Sequence, residues 1–72
     1  MRIHKQLRQW CDENSLEFLA YRCEVTAGYI HKLIAGERVP SKKLARRMQR
    51  VTKGKIAFKA WERAWKQHEK QK

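Results

Sequence analysis

Proline and glycine are nearly missing from this chain, with one Pro and three Gly among 72 residues. That scarcity excludes collagen-like and Pro/Gly-rich disordered character, leaves few tight turns, and favours helices. Cysteine is equally sparse. Cys11 and Cys23 are too few for a disulfide scaffold, and both fall where a helix wants an apolar side chain. They are read as small, reduced core residues, with a disulfide between them as the lesser alternative. A zinc site needs clustered ligands, whereas His4, His31 and His68 are scattered singly, so no metal or other cofactor is expected. No apolar run approaches the ~20 residues of a membrane span, and the opening MRIHKQLRQW lacks the apolar region of a secretion signal. The chain is therefore expected to be soluble and intracellular, with no membrane partner.

Acidic residues are the remaining shortage. Seven Asp and Glu face 18 Lys and Arg, for a formal net charge of +11 and a pI near 10.3. Charge of this size repels itself in a folded domain. It points to a polyanionic partner, nucleic acid first and an anionic membrane surface second, with a merely solubilising surface as the alternative. The sequence has no phosphate-cradling Gly loop, no paired carboxylates and no nucleophile beside a base, so neither an enzyme nor a small-molecule site is expected.

What is present suffices for a core: 42% of residues are hydrophobic and 10% aromatic, including three Trp. A chain this short makes one domain, expected over 1–67 with a polar tail at 68–72. Ile3, Leu7, Trp10 and Cys11 lie at helical spacing and predict a first helix to about Glu13. Asn14 ends it, and either Asn14 or Ser15 can cap a second helix over Leu16 to Cys23; Asn14 with Glu17 has capping-box spacing. Thr26 can cap a third helix over Ala27 to Ala35, closed by Gly36. Ser41 can cap a fourth, with Leu44, Ala45, Met48 and Val51 inward and Lys42, Lys43, Arg46, Arg47 and Arg50 elsewhere, ending by Gly54. Ile56, Phe58, Trp61 and Trp65 suggest an amphipathic fifth helix, with GKIAF a weaker candidate for a short strand. The prediction is all-α with five helices.

A short helix, a tight turn, and a second short helix capped by Thr and followed by a basic loop make a helix-turn-helix arrangement. Ala20 is small where the two helices would cross, Val25 plugs the turn, and Ile30, Leu33 and Ile34 anchor the third helix. Ala27, Gly28, Tyr29, His31, Lys32 and Ala35 are left outward. Gly28 costs ~1 kcal/mol against Ala inside a helix, which suits either close approach of a partner or a crowded helix crossing. Trp61 and Trp65 stand one helical turn apart and suit either core packing or a dimer contact.

On these residues, SLEFLAYRCEVTAGYIHKLIAGERVPS (15–41) resembles the lambda-repressor and Cro-like family. The likeness lies in the small Ala of the second helix, the Thr cap, the aliphatic residue four positions later, and the GERxPS ending. It departs in having Ala27 and Gly28 where the family often has Gln or Ser, and Glu24 where it has Gly. The resemblance implies a five-helix lambda-repressor-like fold and a Cro-like repressor that binds duplex DNA at a palindromic operator, as a homodimer at least on DNA. It implies base reading through Thr26, Ala27, Gly28 and Lys32 with His31 beside them. It implies phosphate contact through Ser15, Tyr29, Arg38, Ser41, Lys42, Lys43 and Arg46. The setting it implies is the cytoplasm of a bacterial cell or phage-infected host. Rival readings are an antitoxin-type autorepressor and a non-specific basic nucleic-acid-binding protein.

Overall fold

Each helix of the central region starts at a hydroxyl side chain that takes up an orphan amide. In the computed structural model, which describes residues 3–70, Ser15 Oγ accepts from the Phe18 amide, Thr26 Oγ1 from Tyr29 and Ser41 Oγ from Leu44, each at 3.1 Å. The resulting order is α1 (Ile3–Glu13), α2 (Leu16–Cys23), α3 (Ala27–Ala35), α4 (Lys42–Val51), a 3-10 turn (Phe58–Trp61) and α5 (Glu62–Lys70). There is no strand among the described residues. The ambiguity between Asn14 and Ser15 resolves in favour of Ser15. Asn14 instead closes α1, its backbone amide and its side-chain Nδ2 both donating to the Trp10 carbonyl, at 2.9 and 3.0 Å.

The helices enclose one core. Leu7, Leu19, Ile30, Leu33, Ala45, Met48 and Trp61 have no exposed surface, and Ile3, Trp10, Ala20, Leu44 and Ile56 close around them. A wholly buried side chain of leucine or phenylalanine size contributes about 1.5–3 kcal/mol, so these residues hold a domain that has little else to draw on. α2 packs against α3 and α4, and α1 against α3. No described helix is long and apolar enough to cross a membrane.

The C-terminal segment departs from the sequence prediction. Ile56 is buried in a loop, Phe58–Trp61 forms the 3-10 turn, and α5 begins only at Glu62. The segment GKIAF is not a strand, because its amides bond to α4. Thr52, buried at the end of α4, donates its hydroxyl to the Met48 carbonyl at 2.7 Å and accepts from the Ile56 amide at 3.0 Å. Gln49 Oε1 accepts from the Phe58 amide at 2.7 Å. Of the polar tail expected at 68–72, residues 68–70 are helical and 71–72 lie outside the described residues.

Both cysteines are free and buried. Burial pushes the Cys11 thiol up to about 11, helped by the negative charges of Asp12 and Glu17. Burial also raises Cys23, against a partial offset from Arg47. The native thiols therefore stay protonated near pH 8, where an exposed cysteine is already partly ionised. A thiol reagent at pH 8 should label the folded chain far more slowly than the urea-unfolded chain, followed by absorbance. Above pH 9 the unfolded state ionises before the native state does, so stability should fall as the pH rises from about 9 towards 11.

Candidate nucleic-acid interface

The outward stripe of α3 follows from its periodicity. Ile30 and Leu33 are buried and Ile34 packs partly against the core, which leaves Gly28, His31, Lys32 and Ala35 exposed at spacings of three and four. Thr26 is exposed at the start of the stripe, while Ala27 is half-buried. The first turn of α3 is thus small and open. A Cβ placed on Gly28 would meet only Thr26 Oγ1, at 3.9 Å. No crowded crossing needs this glycine.

What aims α3 is the corner before it. Glu24 ends α2 in the left-handed conformation, φ 60°, and its amide bonds back to the Ala20 and Tyr21 carbonyls. The Val25 amide also reaches the Ala20 carbonyl, at 3.0 Å, and its side chain packs partly against the core. Ala20, 4% exposed, is the small residue where α2 meets its neighbours. Arg47 braces the corner from α4. Its Nη1 lies 2.9 Å from Glu24 Oε2 and 3.4 Å from the Cys23 carbonyl.

The expected phosphate residues divide by position. Glu24, Tyr29, Ser41, Lys43 and Arg47 line a hollow of about 250 Å³ between the corner and the start of α4. Tyr29 is half-buried there, and its hydroxyl donates to the Val39 carbonyl at 3.5 Å. Lys42 and Lys43 are exposed in the first turn of α4, and Arg38 is exposed in the loop between α3 and α4. Arg46 stands apart: its guanidinium lies 5.3 Å over the Phe58 ring, on the C-terminal segment rather than in the hollow. Ser15 is remote in another sense, being taken up by the cap of α2.

The aromatic pair near the C-terminus divides between the core and the surface, so that Trp61 is not open to the dimer contact expected of both while Trp65 keeps part of its surface. Trp61 is wholly buried, with the edge-to-face ring of His4 at 6.1 Å and no acceptor for its indole N–H among the described residues. Trp65 is half-buried, packs at 5.2 Å on Phe58 and donates its indole N–H to the Pro40 carbonyl at 2.7 Å. It fastens α5 to the loop that precedes α4. The exposed large apolar side chains are Phe18 and Tyr21, at 48% and 80%.

No family model, curated protein or solved structure matches the chain. Among the described residues, no group of three or more His, Cys, Asp or Glu comes together to hold a metal ion.

Arg47 is the site residue that sequence reasoning missed as a brace, because its partner lies 23 positions away and no local pattern pairs them. Two substitutions separate its contribution from the backbone strain at Glu24. Both Glu24→Ala and Glu24→Gly remove the ion pair, which is worth only about 0–1 kcal/mol between side chains 37% and 72% exposed. Only Gly relieves the left-handed conformation, which costs an L-residue roughly 1 kcal/mol. Urea denaturation should therefore find Glu24→Gly more stable than Glu24→Ala by about 1 kcal/mol.

Proposed function

We propose that this chain is a sequence-specific duplex-DNA-binding transcription regulator, a repressor with the lambda-repressor and Cro-like helix-turn-helix arrangement. The observation that carries the reading is Gly28. It stands exposed in the first turn of α3, in open space, where the fold itself has no use for a glycine. A helix pressed into a major groove about 12 Å wide has that use, because backbone and small side chains can then approach base edges.

In this reading the first turn of α3 enters the groove. Lys32 donates to guanine O6 and N7, the Ala27 methyl meets a thymine methyl, and Thr26 and His31 flank them. Lys42 and Lys43, with Arg38 in the preceding loop, hold the phosphates that set the register. Arg47 stays with Glu24 and keeps the angle between α2 and α3. One such helix covers only a few base pairs, so two copies bind half-sites about 34–36 Å apart on a palindrome. With Trp61 wholly buried, the half-buried Trp65 is the member of the tryptophan pair left to touch a second copy.

Selection of bound duplexes from a random pool tests the whole reading. A palindromic consensus is expected, with binding that weakens with salt at a slope of roughly −4 to −9 in log K against log concentration. Recovery of no consensus would leave a non-specific basic binder.

Two variants sharpen this. Lys32→Ala should weaken specific binding by about 1–3 kcal/mol and barely change random-DNA binding, whereas Lys43→Ala should weaken both alike. Gly28→Ala should stabilise the free protein by roughly 0.5–1 kcal/mol and yet weaken operator binding at least about tenfold. A Gly28→Ala protein that is more stable and binds as well as the parent would remove the observation on which the reading rests.

A further inference from the structure

Apart from the α3 stripe, the described residues form a second concave surface. A groove of about 670 Å³ runs between the C-terminal end of α1, the outer face of α2 and the end of α4, a size that takes a ligand side chain with its neighbours. Trp10, Phe18 and Val51 give it an apolar floor. Phe18 is 48% exposed, a large apolar area for so small a domain to leave in water.

The rim has one sign of charge. Arg22, Arg50, Lys53 and Lys55 line the same groove, against Glu13 as its single carboxylate. Among the described residues the one ion pair joins Arg47 to Glu24, and none of these four cations takes part in it. Nor are the two lysines on a loose loop. The Gly54 amide bonds to the Gln49 carbonyl at 2.8 Å and the Lys55 amide to the Thr52 carbonyl at 3.1 Å. Lys53 itself is held left-handed, φ 55°, beside a left-handed Gly54. Lys53 therefore lines the groove from a backbone position that the turn fixes.

We propose that this groove docks an acidic segment of a partner protein, placing one large apolar side chain against Trp10, Phe18 and Val51. Carboxylates on either side of that anchor then meet Arg22, Arg50, Lys53 and Lys55. Apolar walls beside these cations focus their field on such a segment and exclude water from its anchor. A nucleic-acid strand suits the surface less well. It would answer the cations but set a charged backbone over the apolar floor. The docking surface lies on α1, α2 and the end of α4 and does not depend on the DNA reading of α3.

The test uses the full chain, 15N-labelled, at about 0.15 M salt, where long-range attraction to so basic a protein is screened. The probes are a synthetic peptide with one central Trp flanked by Glu and Asp, the same peptide with Ser for the Trp, and single-stranded oligothymidylate. The Trp peptide should shift the amides of Phe18, Arg22, Val51 and Lys53 and the indole of Trp10, and bind at least about tenfold more tightly than the Ser peptide. Arg50→Glu with Lys53→Glu, two exposed positions, should weaken it at least about tenfold with an unchanged far-UV spectrum. Lys5→Glu with Arg8→Glu, the same charge change on the exposed face of α1, should weaken it less than about twofold. Equal binding of the two peptides, equal loss from the two charge reversals, or shifts concentrated on α3 and Lys42 would overturn the proposal. So would tighter occupation of the groove by oligothymidylate than by the Trp peptide.

Discussion

The outward geometry of this domain hangs on the backbone of Glu24. An L-residue held at φ 60° turns the chain out of α2 within a few residues, and α3 leaves in the direction that this corner sets. The strain is tolerated because the corner is over-determined. The Glu24 and Val25 amides both return to α2, the Val25 side chain packs against the core, and the guanidinium of Arg47 closes on the Glu24 carboxylate. A glycine would turn more cheaply, but it would give α4 nothing to hold. The chain thus accepts a local strain in exchange for a link between the corner and the helix that bears more basic residues than any other, five of the 18 Lys and Arg.

That link bears on the electrostatics. With a formal net charge of +11, the native state gathers cations that the unfolded chain keeps apart, and repulsion lowers stability most at low ionic strength. Any polyanion that binds the native surface relieves the repulsion and stabilises the fold by mass action. The exposed basic side chains are therefore a constraint on the free protein as well as a means of attachment, and the wholly buried core residues from Leu7 to Trp61 must hold against them.

The starts of α2, α3 and α4 were legible in the sequence because each is written locally, a hydroxyl three positions before the amide that it satisfies. The outward stripe of α3 was legible for the same reason, since Gly28, His31, Lys32 and Ala35 alternate with buried Ile30 and Leu33 at helical spacing. Beyond α4, local patterns lose their hold. Ile56 and Phe58 are two residues apart and cannot share a helical face, and what orders them is a pair of side chains from α4, Thr52 and Gln49. Trp61 and Trp65 have the spacing of a surface pair and of a core pair alike. Only the packing of His4 on one, and the reach of the other to Pro40, decide between them. The brace of Arg47 and the groove of Phe18 and Lys53 join residues distant in sequence, and periodicity carries no trace of such meetings.

The contact between His4 and Trp61 joins α1 to the 3-10 turn, two elements far apart in sequence. Closing so long a loop of chain costs entropy before the contact returns anything, so the fold is sealed late, by a meeting that forms after the capped local turns of α2, α3 and α4.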